Sequence, residues 1–138
     1  MHQTTISGKN DNLACVIRGQ TWPVGFSMHT DASAFVQVAT WQYQSGKTLQ
    51  AHAHRSAPRV SAHTQEVVYV VRGSLKADIF DVDDTLVETV LLHGGDCLIV
   101  YCGGHGYSIV EDGTRVLEVK NGPYPGLELD KRVIGRAD

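Results

Sequence analysis

Residues 66–80 read EVVYVVRGSLKADIF, and the reading of that stretch decides the fold. Its first half is a run of Val and Tyr of strand length, opened by Glu66 and closed by Arg72. Gly73 then supplies a residue that takes positive φ at no steric cost, and a second apolar run follows from Leu75 to Phe80. Two short β-rich runs joined by a tight glycine turn predict antiparallel neighbours.

Outward from this pair the pattern repeats. Runs rich in Val, Ile, Tyr and Thr recur at intervals of roughly ten residues between Gly, Asp and Pro, as in an all-β sandwich or barrel. Strands are expected at about 14–18, 35–44, 48–54, 66–72, 75–80, 86–92, 97–101, 107–111 and 115–120, which makes eight to nine. Asp112-Gly113 is a second hairpin signal. Asp81-Val82-Asp83-Asp84 reads as a solvated acidic turn, since it lacks the glycine and closing glutamate of a calcium loop. No segment keeps a 3.6-residue apolar period over three turns, so little helix is expected, and only near a terminus. Residues 19–34 and 55–65 read as loops, where binding groups tend to gather.

A chain of 138 residues is the size of one domain, spanning 1–138. Hydrophobic residues make up 42% and charged residues 20%, which excludes disordered and fibrous classes. The formal net charge is −3, and no Lys/Arg cluster is present to neutralise a row of phosphates, so nucleic acid is not an expected partner. The longest apolar runs fall far short of the ~20 residues that cross a bilayer, so no membrane partner is expected either. Residues 1–12 are polar and carry no secretion signal, which makes the cytoplasm the expected compartment. Cys15, Cys97 and Cys102 form an odd set without a C-x-x-C pair and read as reduced thiols. Cys97 fits a buried strand position, whereas Cys102, close to His105, is a candidate soft ligand or reactive thiol.

The chemistry concentrates in four residues. His52 and His54 are two apart on an expected strand, so the pleat puts both imidazoles on one face in a chelating arrangement. Glu66 opens the next strand, where a carboxylate turned inward is costly without a cation. His105 sits among the glycines of Cys102-Gly103-Gly104-His105-Gly106, a turn able to aim its ring inward. Three imidazoles and one carboxylate suit Fe, Mn, Ni, Co or Zn as a single divalent ion.

With these residues in place, a family resemblance becomes explicit. Gly46-x₅-His52-x-His54…Glu66-x₆-Gly73 resembles the first cupin motif, and Gly95-Asp96…His105 resembles the second. The resemblance implies a small antiparallel jelly-roll barrel over about 35–121, with an N-terminal arm at 1–34 and a tail at 122–138. It also implies that His52, His54, Glu66 and His105 are the four ligands of one metal. Eleven residues separate His54 from Glu66, more than the family pattern places there, so an extended loop has to bring the chain back. Tyr101 stands near the pattern's Pro position and Ile109 replaces its Asn. His63, inside the long loop, is the substitute for Glu66. The C-terminal stretch Leu117-Glu118-Val119-Lys120-Asn121-Gly122-Pro123-Tyr124 is similar to a signature of cupin-fold metalloproteins of the WbuC type, which are associated with surface-polysaccharide gene clusters and lack an assigned reaction. Cupins commonly form homodimers by exchanging or pairing N-terminal strands, and the Val, Ile and Cys content of 14–18 suits that role.

Around the expected metal, Glu118 and Lys120 share a strand face, either inside the cavity as an acid/base pair or anion hook, or outside as a cross-strand ion pair. Arg55 and Arg59, flanking the histidines, are candidate contacts for a carboxylate or phosphate. Tyr124 is a candidate hydroxyl donor to the same small polar or anionic molecule, alongside Tyr43, Tyr69 and Tyr107, whose plainer role is packing. The leading functional reading is Lewis-acid chemistry, isomerisation, epimerisation or lyase, on a sugar derivative or a hydroxy/keto acid. An iron-dependent dioxygenase and a non-catalytic metabolite-binding or sensing module are the alternatives.

Overall fold

Period-two alternation of apolar side chains produces ten strands in the computed structural model, which describes residues 2–135; residue 1 and residues 136–138, the ends of the expected 1–138 span, lie outside the described residues. In chain order they are β1 (Gln3–Ser7), β2 (Asn12–Ile17), β3 (Gly25–Met28), β4 (Ala39–Gln42), β5 (Glu66–Arg72), β6 (Ser74–Phe80), β7 (Leu86–His93), β8 (Cys97–Val100), β9 (Gly104–Ile109) and β10 (Arg115–Lys120). A 3₁₀ turn at Gly19–Thr21 and the single helical turn α1 (Leu127–Asp130) complete the elements. All pairings are antiparallel: a five-stranded sheet in the order β1-β2-β8-β5-β10, a three-stranded sheet in the order β7-β6-β9, and the β3–β4 ribbon. The all-β, helix-poor expectation holds at this level. Among the described residues no helix is long and apolar enough to cross a membrane.

Alternation divides the larger sheet into two faces. Ala14, Val16, Val68, Val70, Leu98 and Val100 join Leu75, Ala77, Ile79, Val90 and Leu92 of the smaller sheet in one buried cluster. The opposite face, with Cys15, Ile17, Cys97 and Ile99, is covered by Trp22 and Val38. Burying an aliphatic side chain of this kind contributes roughly 1.5–3 kcal/mol, so the double layer is where stability concentrates. Cys97 is buried as its sequence context predicts.

Both glycine turns are corners rather than hairpins. Gly73 does take φ +84°, but it leads from β5 in the larger sheet to β6 in the smaller one. Asp112-Gly113 likewise leads from β9 in the smaller sheet to β10 in the larger. The two corners are stitched together by Thr114, whose Oγ1 lies 3.1 Å from both Ser74 N and Ser74 O. A Cβ on Gly73 would strike Thr114, so close backbone approach also requires glycine here.

Other expectations are corrected. Residues 48–54 are irregular and exposed rather than a strand, because nothing pairs with them among the described residues and an unpaired strand lacks partners for its amides. Of the run at 35–44 only β4 is strand, paired with β3. The strand at 14–18 corresponds to β2, which lies between β1 and β8 inside its sheet, with β1 as the edge on that side. His105 lies on β9, not in a turn. The acidic turn is only partly solvated: Asp81 is buried, and its Oδ2 accepts a hydrogen bond from Lys9 N at 2.8 Å.

Candidate functional site

The register fixes which side chains point between the sheets. Glu66 pairs with Val100 on one side and Lys120 on the other, so Glu66, Lys120 and, two residues along, Glu118 share the inner face. Across the layer His105, Tyr107 and Ile109 pair with Ile79, Ala77 and Leu75, all buried core residues, and therefore also face inward. At this side the layers part. Ile109 is 62% exposed although its partner Leu75 is fully buried, and β9 has no neighbour on its outer edge. Glu66 on β5, His105 and Tyr107 on β9, and Glu118 and Lys120 on β10 therefore face the space between the two sheets.

Glu66 is the centre of this group. It is 6% exposed, its Oε1 lies 3.0 Å from His105 Nε2, and Tyr107 donates its hydroxyl hydrogen to the same oxygen at 2.7 Å. The His105 and Tyr107 rings lie 5.2 Å apart. Burial alone would raise the Glu66 carboxyl, but the hydrogen bonds from His105 and Tyr107, with the charges of His105 and Lys120, outweigh it and hold the group below the usual carboxylate range. Tyr107 is driven the other way, by burial first and then by its bond to Glu66 and the charges of Glu66 and Glu118, so it stays a protonated donor. Lys120 Nζ sits 3.4 Å from Glu118 Oε1, and that partner raises the ammonium pKa. By register both lie on the face shared with Glu66, and both reach solvent, with Glu118 exposed and Lys120 half-buried.

His105 Nδ1 is buried and has no hydrogen-bond partner among the described residues. A buried carboxylate and an orphaned ring nitrogen in one place are features that a cation and its surroundings satisfy. The 3.0 Å between Glu66 Oε1 and His105 Nε2 also fits two adjacent donors of one ion, since bonds of about 2.1 Å at right angles put donor atoms about 3 Å apart.

The other two expected ligands stand elsewhere. His52 and His54 lie on the exposed loop of residues 43–65, their rings 5.2 Å apart and nearly perpendicular, with His52 Nδ1 3.1 Å from the Gln50 carbonyl oxygen. Among the described residues no group of three or more His, Cys, Asp or Glu side chains is gathered as a metal site requires. Arg55 and Arg59 are exposed on the same loop, and Tyr124 is exposed beyond β10. His63 is exposed, and its carbonyl oxygen accepts a hydrogen bond from Asn121 Nδ2 at 3.2 Å. The Cys102 thiol is pushed up by burial and by the charges of Asp11 and Asp81, the opposite of what a reactive thiolate needs.

Three residues gain importance over their sequence reading. Tyr107 looked like packing; its place two residues from His105, on the same face by alternation, is the signal that marks it. Asn121 closes the long loop by accepting Gln65 N at 2.7 Å through Oδ1. His29, in a stretch read as solvated loop, is 5% exposed, with Nδ1 3.0 Å from Gln3 Oε1 and Nε2 2.7 Å from Thr40 Oγ1. That set of bonds is structural and ties β1 to the β3–β4 ribbon.

No family model, no curated protein and no solved structure matches the chain.

Proposed function

We propose that this chain is a metal-dependent protein of the cupin type, a jelly-roll that holds one divalent ion, Fe, Mn, Ni, Co or Zn, through His52, His54, Glu66 and His105. One observation carries the reading: Glu66 and His105, from two separate motifs, meet at 3.0 Å on the inner face of an antiparallel β layer. Residues 43–65 run between β4 and β5 without regular structure, well beyond the ~12–15 residues usual for such a connection unless it is functional. Within it Gln50, His52 and His54 alternate with Leu49, Ala51 and Ala53. In this reading the loop that carries His52 and His54 closes on the free edge of β9 and brings both imidazoles to His105.

The bound ion supplies Lewis-acid polarisation of substrate oxygens. The chain's own residues do the rest. Lys120 neutralises an anionic group on a sugar derivative or hydroxy/keto acid, with Arg55, Arg59 and Tyr124 as further contacts at the mouth. Glu118 takes or returns a proton, and Tyr107 holds Glu66 in place through a hydrogen bond. A twofold dimer belongs to the same reading, with β1 as the edge that pairs, and light scattering after size exclusion measures its mass.

The reading is tested by elemental analysis of protein purified without chelator. One divalent ion per chain in the wild type and far less in His52→Ala/His54→Ala as purified is the expected result; equal metal content in the two refutes the ligand set.

A further inference from the structure

The C-terminal segment leaves β10 at Lys120 and does not run away from the fold. Lys120 is opposite Glu66, and β9 begins at Gly104, one residue before His105, so the tail starts at the end of the double layer where the Glu66–His105 pair lies. It then makes contacts on the far side of that end. Arg132 forms a two-pronged pair with Asp84 in the β6–β7 turn, NH1 to Oδ2 and NH2 to Oδ1, both at 2.7 Å. Ile134 packs so closely on Gly104 that a Cβ there would collide with its Cδ1, and Phe80 lies against the same spot. Ahead of these anchors, α1 carries Asp130, whose charge raises the Lys120 ammonium pKa further, after the larger effect of Glu118. The near end is fixed by Asn121, bonded to Gln65 and His63 at the foot of the loop that carries His52 and His54.

We infer that residues 126–134 are a strap across the end of the double layer beside His105, latched by Arg132 on Asp84 and by Ile134 on Gly104, and that its release raises access to His105. The latch is strong enough to hold and weak enough to open, because an exposed carboxylate–guanidinium pair contributes little more than a small multiple of thermal energy.

The inference depends on where His105 lies and not on what the site binds, so it is tested on full-length protein dialysed against chelator. The probe is diethylpyrocarbonate at fixed pH, with the modification rate of each histidine read by peptide mass. Exposed His52 and His54 are the internal references. Asp84→Asn removes the latch charge without backbone strain, since Asp84 has φ +66° and asparagine tolerates that region. It is expected to raise the His105 rate roughly two- to fivefold while His52 and His54 stay constant. Asp84→Asn/Ile134→Ser, which also loses the apolar anchor, is expected to raise it further. In wild type, added salt should reproduce part of the Asp84→Asn effect. An unchanged His105 rate in both variants, with circular dichroism as in the wild type, overturns the strap. Acceleration of all three histidines together means general loosening and overturns it as well.

Discussion

Tyr107 on β9 donates its hydroxyl hydrogen to Glu66 on β5 at 2.7 Å, joining the two sheets across 41 residues of sequence. The bond orients the carboxylate whose other neighbour is His105, so its removal should loosen the site before it loosens the fold. Tyr107→Phe keeps the ring against His105 and deletes only the donor. We expect apparent metal affinity to fall roughly 10–100-fold, as for other residues that orient a ligand, and metal-free stability to drop by about 1–2 kcal/mol. Competition titration against a chromophoric chelator and urea denaturation measure the two.

The two inter-sheet corners depend on one hydroxyl. Thr114 Oγ1 lies 3.1 Å from both Ser74 N and Ser74 O and 2.6 Å from the Glu111 carbonyl oxygen. Thr114→Val keeps the shape and leaves the Ser74 amide unpaired at a buried residue. A loss of about 1–3 kcal/mol is expected by urea denaturation; loss of the Glu66–His105 contact is not, because the corner lies at the other end of β5 from Glu66.

Asp96 gives the fold an acid limit. Burial alone would raise its carboxyl, but the amides of His93 and Gly19 and the guanidinium of Arg18 overcome that and hold it below the usual aspartate range. A depressed folded-state pKa means that the stabilisation is complete above the unfolded value and disappears as pH falls through the folded one. Relative to wild type, Asp96→Asn should therefore be less stable by about 1–3 kcal/mol near neutrality. The gap should narrow below about pH 4, near the unfolded pKa, and close at more acid pH. Chemical denaturation of both proteins across that range reads the curve.

The strands that were legible in sequence are those whose apolar side chains pack into the core and whose amides pair with a neighbouring strand. β5, β6, β7 and β8 supply the core between the sheets, and their apolar runs show it. Residues 48–54 carry the same alternation but no neighbour, which is why pattern alone overstated them. β1 was missed because its Gln, Thr and Ser side chains cover an edge, and β3 because Gly25 and Ser27 dilute its run. Glycine turns were recognised correctly and paired wrongly. A turn specifies a reversal of direction, whereas whether the returning strand stays in its sheet is decided by packing such as that of Thr114 on Ser74. At the site, Glu66 and His105 were readable from residue type and Glu118 and Lys120 from parity, whereas the strand that carries His105 was read as a turn. Tyr107 and the strap depend on contacts between segments far apart in sequence, which no local pattern records.

Metal coordination itself is the most direct measurement: X-ray absorption at the edge of the bound ion, compared between wild type and His52→Ala/His54→Ala reloaded with the same metal. A nitrogen/oxygen shell with three imidazoles in the wild type and one in the variant is the predicted result. An imidazole contribution unchanged by the double substitution would contradict the account, because the ion would then be held without the loop that is proposed to complete its site.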